Sequence, residues 1–234
     1  QWIVSSYLLA ICVLLPLSGY LGDLFTKRYI YLLGFWIFTI GSFLCGISFS
    51  LHSLIFFRFL QGIGAAMLIA NNQAIIMLNF PKEKHGKALG INAMTVAVGS
   101  IAGPAIGGIL IGLLGWRSIF FINIPLGLLG CYLGYQILPK DLSLSEYKFD
   151  FLGAITFAIM MTFFVLVLSH GASWGWLSYT TLTCVLIGIA AFWLFVRCEH
   201  QATHPMVDLT LFNDWAFSSG NVVALFVFMA ISSN

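Results

Sequence analysis

The chain has 234 residues, of which 60% are hydrophobic and only 8% are charged, and its formal net charge is +2. Soluble globular domains carry about 25% charged residues, so this composition excludes a soluble domain and predicts an all-α polytopic membrane protein. The five cysteines are scattered singly without metal-ligand spacing, which indicates small packing residues and no metal site.

Eight apolar segments are long enough to cross a membrane as helices. Eight of the ten lysines and arginines fall in the loops after the first, third, fifth and seventh segments, whereas the opposite side holds only Arg117. This bias predicts that the lysine-rich loops are cytoplasmic and that the chain begins on the outer side. The predicted segments cover residues 2–22, 29–49, 54–80, 86–114, 118–138, 151–168, 176–196 and 217–232.

The first segment ends in a motif of glycines and charged residues. Gly19 and Gly22 allow two helix ends to approach closely, while Asp23, Lys27 and Arg28 place charges at the cytoplasmic rim. The charges predict a breakable latch that gates the cytoplasmic side. For Lys27 and Arg28 an ordinary role as positive-inside anchors is the alternative.

The third segment contains a charged side chain, Arg58. An arginine inside a span costs at least about 2.5 kcal/mol, so it should face a cavity or a partner group instead of lipid. Snorkelling to the outer headgroups is the alternative, because the loop at His52 is close in sequence. Gln61 lies three residues on and shares a helix face with Arg58, which favours the cavity.

Uncharged polar residues follow deeper in the third and fourth segments. Asn71 and Asn72 come late in the third segment, and Asn92 comes early in the fourth. Together with Gly62, these residues are candidates for a substrate path. Hydrogen bonds between helices are an equally good interpretation of the asparagines.

The fourth segment carries a glycine-rich stretch. Gly99, Gly103 and Gly107 recur every four residues and form one bare stripe on a helix, followed by Gly108. Pro104 lies within the stripe, and in a bilayer such a segment stays helical and bends. The stretch is interpreted either as a close helix contact or as the hinge of a bending gate helix.

The rest of the chain alternates between apolar segments and polar stretches. The segments within 150–197 have no ionisable residue in their interiors, which predicts a lipid-facing helix pair. His200 and His204 are spaced i, i+4, but the exposed setting and Pro205 argue against a metal site there. The predicted units are a helical half over 1–139, a cytoplasmic linker over 140–149, a helix pair over 150–197, a cytoplasmic interfacial loop over 198–214 and a further helical unit over 215–234.

The order of these motifs is similar to that of the major facilitator superfamily. Residues 19–28 resemble the signature loop between the second and third family helices, residues 58–64 resemble the fourth-helix motif, and residues 99–108 resemble the fifth-helix motif of the antiporters. Residues 116–125 and 195–209 resemble the fourteen-helix drug:proton antiporters, in which two additional helices lie between the two six-helix halves.

The resemblance implies that residues 1–139 hold family helices two to six and that residues 215–234 begin the C-terminal half. The first helix and the last five helices are then expected outside this chain. It also implies a monomer in the bacterial plasma membrane that works by alternating access of two halves. No nucleic acid and no cofactor is expected, because the proton gradient supplies the energy.

The function implied is export of small amphipathic compounds in exchange for protons. Arg58 with Gln61 would serve proton coupling, and Gly103 with Pro104 would bend the fourth segment. A dedicated exporter of one compound, such as a tetracycline or an endogenous metabolite, is the alternative.

Ionisable side chains in the sequence bear on both coupling and catalysis. All eight acids lie in or beside cytoplasmic loops, so the proton-carrying carboxylate is expected outside this chain, which alone should not transport. An intramembrane enzyme would need a nucleophile with a base, or clustered acids or histidines, at one depth. With every histidine assigned to a loop and no acid predicted to be buried, the chain is not expected to be an enzyme.

Overall fold

The computed structural model describes residues 2–139, 150–202, 205–207 and 209–232, and this part of the chain is all-α, as predicted. The predicted linker over 140–149 and His204 lie outside the described residues. Short 3-10 turns cover Lys82–Lys84 and Leu209–Asn213. The helices are α1 (Trp2–Leu24), α2 (Lys27–Gly46), α3 (Leu51–Asn79), α4 (His85–Leu114), α5 (Ser118–Phe121), α6 (Asn123–Ile137), α7 (Phe151–Trp174), α8 (Tyr179–Gln201) and α9 (Trp215–Ser232).

Seven helical stretches in the described part are long and apolar enough to cross a membrane. They are α1 to α4, the pair α5 and α6 taken together, α7 and α8. The eighth predicted segment is helical as α9, but its apolar stretch, Trp215–Val227, is shorter than the other seven. The fifth predicted segment is divided at Ile122, where α5 passes into α6.

Helix α3 lies between α1 and α2 and packs closely against both. The close approach depends on glycines, since a Cβ on Gly62 would lie 2.6 Å from the Ala10 Cβ of α1. A Cβ on Gly41 of α2 would lie 2.8 Å from the Gln61 Cα of α3. Small residues therefore bring the backbones of these three helices together, as in other membrane helix bundles.

Polar caps mark the starts of α3, α7 and α8. Ser50 and Ser53 form a capping box at the start of α3, three residues before the predicted segment. The Asp150 and Ser178 side chains accept hydrogen bonds from backbone N–H groups in the first turns of α7 and α8. These caps explain why the helices start where they do.

Helix α4 stands apart from the packed centre. It continues unbroken through Pro104, as expected for an apolar segment in a bilayer, and it has no buried residue. No atom outside the helix backbone lies within 4 Å of a Cβ built on Gly99, Gly103, Gly107 or Gly108. The close-contact interpretation of this stripe therefore has no partner within the described part of the chain.

Two predictions about ionisable residues are wrong. His52, His85, His170 and His200 all belong to helices, and His170 is buried in α7. Glu199 is also buried, with 4% of its surface exposed, because α8 continues to Gln201 and includes the start of the predicted interfacial loop over 198–214. The ends predicted from hydropathy for the segments that form α7 and α8 are therefore too early, because both helices continue through polar residues.

Candidate functional site

A hydrogen-bonded chain crosses from α3 to α2 through three polar side chains. The Arg58 Nη1 donates to Gln61 Oε1 at 2.9 Å, and the Gln61 Nε2 donates to Ser42 Oγ at 2.6 Å. Ser42 in turn donates to the Phe38 carbonyl oxygen at 2.7 Å. Gln61 is only 1% exposed, so this chain of hydrogen bonds lies inside the helix packing.

The Arg58 guanidinium also contacts α1 and α5. Its Nε donates to the Ile3 carbonyl oxygen at 3.3 Å, and its Cζ lies 4.6 Å from the Tyr7 ring centroid and 5.5 Å from that of Phe120. Aromatic faces stabilise a partly desolvated cation by about 0.5–2 kcal/mol. Arg58 therefore faces partner groups in the interior, on the helix face that it shares with Gln61.

An open cavity of about 500 Å³ lies on the predicted outer side of this network. Ile3 and Phe120 line the cavity and also contact Arg58, so the guanidinium lies behind its wall. Arg117 lines the same cavity, and its Nη2 donates to the Ser48 carbonyl oxygen at 3.1 Å. Arg117 thus lines this cavity directly, and Arg58 lies behind its wall.

Asp23, Lys27 and Arg28, here called the charged rim, lie where α1 passes into α2 and make two separate contacts. Asp23 pairs with Lys27 across the junction of α1 and α2. The Arg28 Nη2 donates to the Tyr135 carbonyl oxygen at 2.7 Å, and the guanidinium lies 5.4 Å from the Tyr135 ring centroid. The first contact joins α1 to α2 and the second joins α2 to α6, so this rim ties three helices together.

Replacing Asp23 by asparagine is expected to change folded stability by less than about 1 kcal/mol, because exposed ion pairs contribute at most this much. Asp23 is exposed in this structure. Thermal unfolding of the purified protein would measure the effect. Lys27→Gln should give the same small change, whereas a loss of several kcal/mol in either variant would contradict a weak, breakable pair.

The polar candidates for a substrate path fall into two groups. Asn71 is buried between α1 and α3, where its Nδ2 donates to the Ser18 carbonyl oxygen at 3.2 Å and the Met67 carbonyl oxygen at 3.0 Å. Gly22 abuts this side chain, so any Cβ at Gly22 would collide with the Asn71 amide. Gly62 also lies in the contact of α1 with α3, so neither Asn71 nor Gly62 faces an open space.

The second group joins α3 to α4. The Asn72 Nδ2 donates to Asn92 Oδ1 at 3.0 Å, and Asn92 lines an open cavity of about 530 Å³ between these helices. Lys84, Lys87 and Thr95 line the same cavity. Asn72 and Asn92 therefore join α3 to α4 by a hydrogen bond, and Asn92 also presents its amide to a space large enough for a small molecule.

Several partners of these residues were missed in the sequence. Ser42 is one serine in an apolar helix, and Tyr7 is an ordinary aromatic residue of the first segment. The carbonyl groups of Ile3 and Tyr135 carry no sequence signal at all. Only the packing of α1 and α2 against α3, and of α6 against α2, identifies these groups as partners of the arginines.

The model of the family described as Major Facilitator Superfamily matches residues 1–149, which includes the Arg58 network, the charged rim and the glycine stripe. The chain belongs to the Major Facilitator Superfamily. Because this is a family of membrane transporters, the protein is not an enzyme. Its helices are those of a multi-pass protein of the plasma membrane, as in the bacterial exporters to which it is similar.

Curated members of the superfamily are similar along nearly the whole chain. The riboflavin transporter RibZ of Clostridioides difficile is 37% identical over 236 residues, covering 99% of this chain and 50% of that protein. The multidrug resistance protein Stp of Mycobacterium tuberculosis is 33% identical, and the tetracenomycin C resistance and export protein of Streptomyces glaucescens is 36% identical. Each of these alignments covers 99% of this chain and 43% of the relative, so the chain spans about half the length of these relatives.

Proposed function

We propose that the protein takes part in proton-coupled export of small amphipathic compounds across the plasma membrane. The observation that carries this proposal is the placement of Arg58, a permanent cation held between α1, α3 and α5 by Gln61, the Ile3 carbonyl and two aromatic rings. No carboxylate of the described residues forms an ion pair with it. A fixed charge of this kind lowers the proton affinity of any carboxyl group that moves close to it.

The proposed coupling uses that electrostatic effect. When a protonated carboxyl group approaches Arg58, the guanidinium favours the charged form and the proton is released. When the two groups separate, the carboxyl binds a proton again. The described acids cluster near the predicted cytoplasmic side, so the partner carboxyl belongs outside the described residues, and the described part by itself should not transport.

Alternating access would use the charged pair of Asp23 and Lys27 and the glycine stripe of α4. We propose that the Asp23 and Lys27 pair opens and closes the cytoplasmic rim, which suits an exposed pair of low net energy. Helix α4 would bend at Pro104 and close the path with its glycine stripe, which lies open in this structure. The substrate would pass Asn72 and Asn92, beside the cavity between α3 and α4.

A carrier dedicated to one compound is the second candidate. It is supported by the names of two relatives, a riboflavin transporter and a tetracenomycin C export protein, each associated with one aromatic compound. The multidrug resistance name of a third relative supports the broader specificity. An outward-facing cavity with apolar walls fits either candidate.

The test uses the full-length protein in inverted membrane vesicles that hold a pH gradient. Candidate cationic and aromatic drugs, riboflavin and a tetracycline are added one at a time while the gradient is followed with a fluorescent dye. Dissipation by several chemically distinct drugs supports multidrug antiport, and dissipation by one compound alone supports the dedicated carrier. Substrate movement without any proton flux would contradict the proposed coupling.

A further inference from the structure

Two carboxyl groups meet where the α7 and α8 helix pair contacts the end of α1. Asp150 is the N-cap of α7, and Glu199 lies in the last turn of α8. Both face Gly153, where a Cβ would lie 2.5 Å from Asp150 Oδ2 and 2.9 Å from Glu199 Oε1. The two oxygens thus lie within 3 Å of one point, and the missing side chain of Gly153 leaves that point free.

Each carboxyl group has one oxygen with a partner and one without. Asp150 Oδ1 accepts a hydrogen bond from the Gly153 N–H at 2.9 Å, and Glu199 Oε2 accepts one from the Val207 N–H at 3.3 Å. The two oxygens near the Gly153 position, Asp150 Oδ2 and Glu199 Oε1, are buried and have no hydrogen-bond partner among the described residues. Glu199 as a whole is only 4% exposed, so its carboxyl group is out of contact with bulk water.

Among the described residues, the groups around Asp150 and Glu199 supply no positive charge that would compensate the two carboxylates. From α1 the nearby titratable group is Tyr20, whose hydroxyl accepts from the Asp150 N–H at 3.3 Å. The segment after α8 presents the backbone N–H groups of Met206 and Val207. The Arg197 guanidinium, on α8 itself, lies over the Trp193 ring, 5.2 Å from its centroid.

Two ionised carboxylates in this arrangement would repel each other in a place with little water. A bound cation would also remove the repulsion, but calcium takes six to eight oxygen ligands and magnesium six, so either ion would need water or further groups besides these two carboxyls. No group of three or more potential metal-binding side chains exists among the described residues. A single proton needs only the two oxygens that are present, and carboxyl pairs in proteins hold a proton in this way.

We propose that Asp150 and Glu199 form a proton-binding site, in which one proton is shared between Asp150 Oδ2 and Glu199 Oε1. The bound proton joins the start of α7 to the end of α8 and holds both beside Tyr20 of α1. Loss of the proton leaves two facing negative charges and weakens that junction. This site is separate from Arg58, and it does not depend on the proposed antiport.

The first test is infrared spectroscopy of the full-length protein across a pH titration. A protonated carboxyl group has a C=O stretching band that an ionised one lacks. The wild type is expected to show such a band at neutral pH, and Glu199→Gln and Asp150→Asn should each remove it. Glu83→Gln is the matched control, because Glu83 is an exposed acid in the turn Lys82–Lys84 and should leave the band unchanged.

Thermal unfolding over the same pH range is the second test. The native pair holds a proton that the unfolded chain releases, so the melting temperature should fall as pH rises through the titration of the band. Glu199→Gln keeps the shape and supplies an N–H donor, so its melting temperature should lose this pH dependence. This variant also reports on folding, because a protein that unfolds cooperatively is still folded.

Three results would overturn the proposal. The first is a wild-type spectrum with no carboxyl band that depends on Asp150 and Glu199. The second is an equal pH dependence of melting in the wild type and in Glu199→Gln. The third is a rise in the wild-type melting temperature with sodium, potassium, magnesium or calcium at fixed pH that is absent from Glu199→Gln, which would assign the site to a cation.

Discussion

Arg58→Ala is expected to lower proton-coupled transport by at least about 10-fold, which corresponds to about 1.4 kcal/mol of lost coupling energy. The variant removes the permanent charge that the proposed coupling requires. It also leaves Gln61 Oε1 without its Arg58 donor in a side chain that is 1% exposed. A buried polar group that loses its partner costs about 1–3 kcal/mol, so the stability of the fold should fall as well. Substrate-driven proton flux in vesicles and thermal unfolding would measure the two effects.

Two control variants separate coupling from folding. Arg58→Lys keeps the charge but lacks the planar guanidinium that donates to both Ile3 and Gln61, so it should retain part of the proton flux. Arg117→Ala removes a similar arginine that lies over the Trp116 ring beside the same cavity, and it should keep coupling. Full proton flux in Arg58→Ala, at normal expression, would contradict the proposed role.

Gly64→Ala is expected to be the most destabilising single substitution in the packed centre, by about 3 kcal/mol. A Cβ at this position would lie 2.7 Å from the Gly34 carbonyl oxygen and 2.8 Å from the Phe38 Cα, and closer still to the Phe38 backbone nitrogen. These atoms belong to the backbone of α2, so no side chain can rotate away. Helices α2 and α3 would have to separate, and unfolding by heat or by denaturant would detect the loss.

Gly99→Ala is the matched control on α4. No atom lies within 4 Å of the new methyl group in this structure. Alanine favours a helix over glycine by about 1 kcal/mol, so the folded stability should stay equal or rise slightly. If Gly99→Ala lowered stability as much as Gly64→Ala, the open placement of the stripe would be contradicted. A loss of transport in a stable Gly99→Ala variant would agree with a stripe used during the transport cycle.

The fold could be predicted well because the bilayer imposes strong constraints on sequence. Long apolar segments must be helical in a bilayer, so the segments that became α1 to α4 were found within a few residues. The errors of the prediction lie at the ends of the helices. Helix α7 continues through His170 to Trp174, and α8 continues to Gln201, past the ends of the apolar segments.

The candidate site was predictable only where a residue type is costly in a membrane. Arg58 was identified because a buried arginine requires a partner, and Gln61 because helical spacing places it on the same face. Glu199 was missed because its sequence neighbours are polar and indicate an exposed loop. Its burial follows from the contact of α8 with α7, which depends on tertiary packing and not on local hydropathy.

The contrast between α3 and α4 has a mechanical consequence. Backbone atoms of α1 and α2, together with the Ala10 Cβ, lie directly against the glycines of α3, so sliding these helices past one another would bring these atoms into collision. The stripe at Gly99, Gly103 and Gly107 has no protruding atoms on that face. A helix packed on that stripe would meet no such collisions when it shifted along its axis, whereas α3 cannot slide against α1 and α2 without them.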